Sequence, residues 1–308
     1  MWARALAYGK FGGPEVLELI KVWTPEPGPG QVRVKVRTGG LNPIDGKLRA
    51  GVFSGGLPVL TPARLGSEFA GVVESVGEGV DEFAAGDEVI GIVPERSGHA
   101  EALISPAEFL APRPQSVSWA ASSAISAGGM TAYGALGEID IQTGDTVIIH
   151  GASGAVGTIA VQLARLWGAD TVIGTASEEN HDYLREIGAV PVSYGPGLRE
   201  RLSAVVPDGR PVKMLDAAGR EAVADSIGFV TNPASDVISL LPFVDEEFGV
   251  KFNILRYDGD VLRAVAALVA DGSITVREPT VFGFDEPAKA HELLDTGHTH
   301  GKVVYEIG

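Results

Sequence analysis

The chain has 308 residues, and its 24 Lys and Arg against 40 Asp and Glu give a formal net charge of −16. This length suits about two domains, and duplex DNA or an anionic membrane would repel so acidic a chain, which excludes both as partners. The sequence contains no cysteine, which rules out disulfides, Cys-ligated zinc and thiol nucleophiles.

The sequence also predicts the localisation of the protein. Residues 1–9 lack the charged region and apolar stretch of a secretory signal. No uninterrupted apolar run reaches the roughly 18 residues that a membrane span needs. We therefore predict a cytoplasmic protein with an ordinary core, since 45% of the residues are apolar and 21% are charged.

The first third of the chain has the pattern of β structure. Residues 16–22 and 31–37 alternate apolar and polar side chains, as half-buried strands do. The Pro- and Gly-rich residues 25–30 between them predict a turn. Residues 69–76 and 88–93 predict two more strands. Short strands at this spacing are typical of a barrel-like or sandwich domain.

Beyond residue 117 predicted strands and helices alternate along the chain. The predicted strands are 146–150, 171–174, 191–194, 212–215 and 236–241, and the predicted helices are 120–136, 158–167, 179–187, 198–205 and 261–270. Such alternation indicates βαβ units and a parallel sheet, so the fold class is α/β. Residues 302–307 return to a strand pattern.

A glycine-rich turn carries the strongest chemical signal. Gly151, Gly154 and Gly157 directly follow one predicted strand and precede a predicted helix. Glycines there allow close approach of a pyrophosphate, and the helix N-terminus offers free N–H groups. A plain turn is the alternative, because the spacing differs from the commoner Gly-x-Gly-x-x-Gly. We interpret residues 153–157 as a dinucleotide site whose contacts are Ser153, Gly154, Ala155, Val156 and Gly157.

The end of the next strand bears on which dinucleotide binds. Thr175 stands where a carboxylate would hold the ribose 2′-hydroxyl of NAD. Ser177 and Asn180 can donate hydrogen bonds to a 2′-phosphate, which favours NADPH. Glu178 and Glu179 argue for NAD instead, and Ser177 has the alternative role of capping the following helix. We predict NADPH as the cofactor and Thr175, Ser177 and Asn180 as contacts.

Several motifs in order resemble those of one enzyme family. They are residues 12–18, 40–45, 65–77, 83–89, 151–157, 180–189 and 301–304. Together they resemble the medium-chain dehydrogenase/reductase superfamily, in the zinc-independent branch of quinone oxidoreductases similar to zeta-crystallin and of enoyl reductases. The resemblance implies a GroES-like β domain of residues 1–117 and 256–308, a Rossmann domain of residues 118–255, and a homodimer.

The resemblance also implies roles for residues in the first domain. Asn42 and Asp45 match the family pattern beside the nicotinamide. Asn42 would bind the substrate carbonyl or the cofactor ribose, and Asp45 would order Lys47 or Arg49. A local Asx turn is the alternative for this Asn-Pro sequence. Phe53 stands near the place of a tyrosine found in many relatives, so the resemblance does not supply a tyrosine proton donor.

The resemblance also implies candidates for the proton donor and roles for residues of the second domain. Lys47, Thr131 or water is then the expected proton donor. Thr131 matches a threonine beneath the nicotinamide, with a hydroxyl bonded to its own helix as the alternative. Tyr194 matches a tyrosine near the ribose phosphate, or is a plain core or surface aromatic. The backbone of Ser239, Leu240 and Leu241 would meet the carboxamide.

The six histidines give no metal site. Only His298 and His300 are close in sequence, and a Gly-bounded, solvated turn explains them better than a ligand set. Without a Lewis acid, alcohol oxidation is disfavoured, since nothing would stabilise an alkoxide. Reduction of a conjugated acceptor needs less help because its anion is delocalised.

We therefore predict a zinc-independent, NADPH-dependent reductase of a small-molecule quinone or α,β-unsaturated carbonyl compound. An NADPH-binding protein with little catalysis is one alternative, and an enoyl reductase acting on a large biosynthetic intermediate is another. Residues 231–236 depart from the family pattern in a segment that shapes the substrate pocket. The substrate therefore cannot be transferred from a relative.

Overall fold

The computed structural model describes residues 1–253, 255–299 and 301–308. The chain forms two units, which are described separately. Unit 1 comprises Met1–Ala127, Tyr257–Asp271 and Val276–Gly308, and unit 2 comprises Gly128–Arg256 and Gly272–Thr275. Unit 1 is thus built from both ends of this sequence.

The N-terminal part of unit 1 is mainly strand. Its strands are β1 (Trp2–Tyr8), β2 (Leu17–Trp23), β3 (Gln31–Leu41), β4 (Ala63–Arg64), β5 (Glu68–Val76), β6 (Glu88–Ile92), β7 (Ala102–Pro106) and β8 (Leu110–Pro112), and its helices are α1 (Pro43–Arg49) and α2 (Trp119–Ser123). Single 3-10 turns occur at Pro14–Val16 and Ala107–Phe109.

Unit 2 alternates strands and helices. Its strands are β9 (Thr146–His150), β10 (Thr171–Ala176), β11 (Val190–Ser193), β12 (Val212–Asp216), β13 (Val237–Ser239) and β14 (Lys251–Phe252). Its helices are α3 (Ser126–Glu138), which begins two residues before the unit, α4 (Ala155–Leu166), α5 (His181–Glu186), α6 (Leu198–Ser203), α7 (Arg220–Ser226), α8 (Pro233–Asp236) and α9 (Val244–Phe248). Single 3-10 turns occur at Glu178–Asn180 and Ile227–Phe229.

The chain then returns to unit 1 through α10 (Gly259–Ala270), β15 (Thr280–Gly283), α11 (Pro287–Asp295) and β16 (Val303–Glu306). The larger sheet of unit 1 has the order β15-β16-β3-β5-β6-β8, with β7 also paired to β3. β16 runs antiparallel to β3, as β3 does to β5. A second sheet has the order β2-β1-β4. Alternating residues of β3, such as Val32, Val34 and Val36, are buried in the core of the unit.

Unit 2 contains one parallel sheet in the order β11-β10-β9-β12-β13-β14. The strand order reverses direction at β9, which makes the sheet doubly wound. All five residues of β9 are buried, as expected for a central parallel strand covered on both faces. The predicted α/β fold class is confirmed.

Some predicted elements differ in detail from the structure. The predicted helix 120–136 is two helices, because the hydroxyls of Ser122 and Ser123 bond back to the carbonyls of Ser118 and Ala120 where α2 ends. The predicted helix 179–187 begins as a 3-10 turn before α5. The predicted strand 236–241 is only Val237–Ser239, because α8 precedes it.

Candidate active site

The turn after β9 has the geometry that a dinucleotide requires. Gly151 has φ of +70°, a left-handed conformation that favours glycine. A Cβ on Gly157 would lie 2.6 Å from Cα of Ala152, and closer still to the carbonyl oxygen of Gly151. No side chain fits at position 157 unless the turn moves. The turn is therefore packed directly against the start of α4.

Donors for an anion are present at the same place. Gly154 is the N-cap of α4, and the first intrahelical bond runs from the Thr158 N–H to the Gly154 carbonyl. Within the described residues, the N–H groups of Ala155, Val156 and Gly157 have no hydrogen-bond partner. The helix dipole adds positive potential there. Together with the half-buried Ser153, these groups can hold a pyrophosphate.

The end of β10 carries a small polar cluster. The Ser177 hydroxyl donates to the Glu179 carboxylate at 3.1 Å and accepts from Asn180 Nδ2 at 2.8 Å. Ser177 precedes a 3-10 turn, but its side chain makes no capping bond to the backbone. Tyr194 follows the neighbouring strand β11, and half of its surface is exposed. Ser177 and Tyr194 therefore follow adjacent strands at one edge of the sheet.

Thr175 is placed differently from its predicted role. It is buried, and its hydroxyl lies 3.0 Å from Nδ1 of His150. Its carbonyl accepts the N–H of Ala152. Nε2 of His150 in turn lies 2.7 Å from the hydroxyl of Ser226, and burial lowers the pKa of this histidine to about 4. The polar groups of Thr175 are therefore used within the core, which argues against the predicted contact with the cofactor.

Residues 239–241, at the end of β13 and just beyond it, have few hydrogen-bonding groups left for a ligand. Ser239 is buried and donates to Asp216 Oδ2 at 2.7 Å. The N–H of Leu240 donates to the Asp216 carbonyl at 2.8 Å, and that of Leu241 to the Ser239 hydroxyl at 3.1 Å. The Ser239 carbonyl accepts the N–H of Asn253 at 3.0 Å, and the Leu241 carbonyl accepts the Ser239 hydroxyl at 3.4 Å. Among the described residues, the Leu240 carbonyl is therefore the backbone group left to meet a carboxamide.

Thr131 lies in α3 and is half-buried. Its hydroxyl makes no hydrogen bond among the described residues. The alternative role, a hydroxyl bonded to its own helix, is therefore not the arrangement in the structure.

Asn42 and Asp45 form the start of α1 in unit 1. The Asp45 N–H donates to the Asn42 carbonyl at 2.9 Å, and the Asn42 N–H donates to Asp45 Oδ2 at 2.8 Å. The other carboxylate oxygen of Asp45 accepts the N–H of Gly66 at 3.1 Å. These bonds cap the N-terminus of α1. The cap is related to the Asx turn that is the alternative interpretation of this Asn-Pro sequence.

The expectation that Asp45 orders Lys47 or Arg49 is wrong, because its carboxylate contacts the backbone N–H groups of Asn42 and Gly66 instead. Arg49 instead pairs with Asp295 at 2.6 Å. Lys47 is half-buried, and its ammonium group has no partner in the described part of the chain.

The structure adds two residues that the sequence reasoning missed. Asn42 Nδ2 donates to Glu68 Oε1 at 2.8 Å, and Lys302 Nζ donates to Asn42 Oδ1 at 2.7 Å. Lys302 and Glu68 also form an ion pair, and their side chains are 4% and 0% exposed. The second oxygen of Glu68 accepts the N–H of Ala127 at 2.8 Å. We call Asn42, Glu68 and Lys302 the Asn42 network.

Strand pairing explains how the Asn42 network forms. Asn42 directly follows β3, Glu68 begins β5, and Lys302 directly precedes β16. β16 and β5 flank β3 and run antiparallel to it, so the end of β3 meets the starts of both neighbours. Glu68 and Lys302 are charged residues at the starts of apolar strands, but the sequence does not show that either lies beside Asn42.

Comparisons with known proteins show the family to which the chain belongs. Residues 28–138 match the model of the alcohol dehydrogenase GroES-like domain, and residues 167–304 match that of the zinc-binding dehydrogenases. The human quinone oxidoreductase is 36% identical over 334 aligned positions, covering 98% of this chain and 97% of that protein. The chain belongs to the medium-chain dehydrogenase/reductase superfamily, in its quinone oxidoreductase branch.

Two further relatives agree with this assignment. The chloroplastic NADPH-dependent alkenal/one oxidoreductase of Arabidopsis thaliana is 30% identical and covers 98% of this chain and 78% of its own length. The solved structure of the quinone oxidoreductase from Coxiella burnetii superposes with a TM-score of 0.87 at 29% identity, covering 100% of both chains. As a member of the superfamily, the chain is an oxidoreductase with a GroES-like domain and a Rossmann domain, a nicotinamide cofactor and a small-molecule substrate.

The superfamily includes zinc enzymes, but the residues of this member do not fit a zinc site. Zinc is held in proteins by thiolate, imidazole and carboxylate ligands, and this chain has no cysteine. Among residues 1–253, 255–299 and 301–308, no three His, Asp or Glu side chains are grouped to hold an ion. His298 is exposed with Nδ1 2.8 Å from the Thr296 carbonyl, and His300 lies outside the described residues. We therefore assign no step to a metal.

The nicotinamide cofactor does fit, because position 157 excludes a side chain and the free N–H groups of residues 155–157 need an anion or solvent. No helix in the described part of this superfamily member is long and apolar enough to cross a membrane. The homodimer, the cytoplasmic location, the domain boundaries and the individual site residues stay predictions.

Proposed function

We propose that the chain is an NADPH-dependent reductase of a quinone or an α,β-unsaturated carbonyl compound. The observation that carries the proposal is the turn at residues 151–157, with its close glycine packing and free N–H groups at the start of α4. When bound, NADPH supplies a hydride, which is two electrons and one proton, and is left as NADP⁺ while the acceptor takes up one further proton.

The polar groups at the end of β10 support NADPH as the cofactor. A 2′-phosphate accepts hydrogen bonds, and the Ser177 hydroxyl and the Asn180 amide are donors. Asn180 is buried, so it acts chiefly by holding Ser177 through their 2.8 Å bond. Tyr194, half exposed at the end of the adjacent strand, offers a ring against the ribose phosphate.

One observation favours NADH as the second candidate. The Ser177 hydroxyl donates to the Glu179 carboxylate. A carboxylate at this place accepts hydrogen bonds from a ribose 2′-hydroxyl and repels a 2′-phosphate. For NADPH to bind, the Glu179 side chain has to turn toward solvent. It can do so because Glu179 is exposed. The relative affinities for the two cofactors decide between the candidates.

The acceptor class follows from what this chain can do for the substrate. The described residues offer no grouped set of zinc ligands, so the site suits an acceptor whose developing anion is already delocalised. A quinone or an enone meets this condition, and relatives named quinone oxidoreductase and alkenal/one oxidoreductase support it. We assign Asn42 to the acceptor oxygen or the cofactor ribose, with Asp45 fixing the helix start that carries it.

The proton that completes the reduction has two candidate donors in the chain. Lys47 and Thr131 each have a polar group without a partner among the described residues, and both are half-buried. Water is the third candidate. A side chain that acts as a general acid typically contributes 10²–10⁴-fold to the rate.

The test is loss of absorbance at the reduced-nicotinamide band, without added metal, for NADPH and NADH in parallel. The acceptors are a benzoquinone, a short enone and a long-chain enoyl thioester. NADPH-selective reduction of the quinone or the enone is the expected result. Turnover of the enoyl thioester alone would favour an enzyme for large biosynthetic intermediates. Tight NADPH binding without turnover would overturn the proposal in favour of a cofactor-binding protein with little catalysis.

A further inference from the structure

The orientation of the Asn42 carboxamide follows from the chemistry of its two charged neighbours. Lys302 Nζ lies 2.7 Å from one end of the carboxamide, and Glu68 Oε1 lies 2.8 Å from the other. An ammonium group only donates hydrogen bonds, and an ionised carboxylate only accepts them. The end beside Lys302 is therefore the oxygen Oδ1, and the end beside Glu68 is the nitrogen Nδ2.

This orientation leaves Asn42 with one kind of hydrogen bond to offer. Nδ2 carries two hydrogens, and Glu68 takes one of them. The other has no acceptor among the described residues, and Asn42 is only half-buried, so a ligand can reach it. The free group is a donor, which selects an acceptor atom such as the oxygen of a carbonyl or a quinone.

We propose that Glu68 and Lys302 are positioning residues that hold Asn42 with its free Nδ2–H directed at the oxygen of the acceptor. The inference rests on the proposed function for the nature of that acceptor. The hydrogen bond from Lys302 to Oδ1 draws electron density out of the amide, which strengthens the free N–H as a donor. A donor at the oxygen that gains negative charge stabilises the transition state more than the bound substrate.

The surroundings of Glu68 are built to keep its carboxylate in place. One oxygen accepts a hydrogen bond from Asn42 and pairs with the Lys302 ammonium group, and the other accepts the N–H of Ala127. The cross-strand partner is Gly40, where a Cβ would lie 2.7 Å from Glu68 Oε1. A buried ion pair adds little net stability compared with apolar side chains. Orienting Asn42 is a role that apolar side chains could not fill.

The test is a double-mutant cycle on steady-state kinetics with a benzoquinone and saturating NADPH. Asn42→Ala should lower kcat about 10²–10³-fold, the range for losing one oxyanion donor. The paired variant Glu68→Gln/Lys302→Met, which leaves no unpaired charge in the interior, should lower kcat about tenfold or more. Combining it with Asn42→Ala should lower kcat no further, because residues that act as a unit are not additive.

Two controls separate positioning from a merely structural role. The affinity for NADPH, measured by fluorescence titration, should be the same in all variants. Lys289→Met removes one partner of the exposed Lys289–Glu286 pair in the same unit and should leave kcat unchanged. If the paired variant does not fold, Gly40→Ala replaces it, since the added methyl displaces the Glu68 carboxylate without removing a polar group.

The failure of this inference is distinguishable from the failure of the proposed function. If the wild type turns over and kcat is the same in the paired variant, the inference alone is overturned. It is also overturned if the decreases in kcat caused by the paired variant and by Asn42→Ala are additive. A wild type without turnover would overturn the proposed function. Equilibrium dialysis of a benzoquinone with NADP⁺ present then decides the inference, because equal affinity in the wild type and the paired variant would overturn it and weaker binding in the variant would support it.

Discussion

The hydroxyl of Thr175 lies 3.0 Å from Nδ1 of His150, in the interior of the parallel sheet of unit 2. Thr175→Val removes this bond and leaves a buried imidazole nitrogen unpaired, which should lower the free energy of unfolding by about 1–3 kcal/mol. The affinity for NADPH should not change. Urea unfolding and a fluorescence titration measure the two quantities. If Thr175→Val loses affinity for NADPH and keeps its stability, Thr175 is a cofactor contact after all.

Gly157→Ala should weaken cofactor binding at least tenfold, because its Cβ would lie 2.6 Å from Ala152 Cα and push the turn away from α4. Gly137→Ala is the matched control in the same unit, since a Cβ there meets no atom within 4 Å. This control should leave binding unchanged and stabilise α3 by up to about 1 kcal/mol. Isothermal titration with NADPH measures both variants. If the two variants bind NADPH with equal affinity, the turn at residues 151–157 is not part of the cofactor site.

Ser177→Ala should weaken NADPH binding about tenfold or more, because the 2′-phosphate loses a charge-assisted hydrogen bond worth about 1.5–3 kcal/mol. NADH lacks this phosphate, so its affinity should not change. Glu179→Gln should shift the preference toward NADPH, because it removes a repelling carboxylate, while Glu186→Gln on the exposed side of α5 serves as its control. If NADH affinity falls as far as NADPH affinity in Ser177→Ala, the 2′-phosphate assignment is wrong.

Acid should destabilise the protein through its buried histidines. Burial lowers the pKa of His150 to about 4 and that of His291 to about 3, so both stay neutral in the fold while the unfolded chain takes up protons below about pH 6.5. The free energy of unfolding should therefore fall as pH drops from about 6.5 toward these values. Each histidine contributes up to about 1.4 kcal/mol per pH unit.

Urea unfolding between pH 7 and 4.5 measures this dependence. His291→Phe should flatten it, because both ring nitrogens of His291 are buried without partners among the described residues and the phenyl ring has no proton to gain. His298→Gln, at an exposed histidine, is the control and should leave the slope as it is in the wild type. An unchanged slope in His291→Phe would contradict the assignment of His291 as a buried neutral group.

Local patterns in the sequence predict much of unit 2 and less of unit 1. The turn from Gly151 to Gly157 can be read from the sequence because a strand, three glycines and a helix follow one another directly. The sequence does not indicate the role of Thr175, because side chains alternate between the faces of a strand and a register error of one residue reverses them. Helix α1 is missed although Asn42 and Asp45 have the spacing of a capping box.

The Asn42 network could not be predicted from local patterns. Its three members are far apart in the sequence, and only the pairing of β16 and β5 with β3 brings them together. Sequence periodicity gives the strands but not their neighbours in a sheet. For the same reason the sequence suggests the nearby Lys47 and Arg49 as partners of Asp45, and not the distant N–H of Gly66.

The position of β16 between β15 and β3 has a consequence for biosynthesis. The whole of unit 2 is translated between β5 and β16. Its parallel sheet can therefore form on the ribosome while the larger sheet of unit 1 still lacks β15 and β16. Such long-range closure is slow and leaves one edge of β3 unpaired at residues 38–41, which pair with β16, in the meantime. Nascent chains arrested before β16 should expose this edge to chaperones and to other chains.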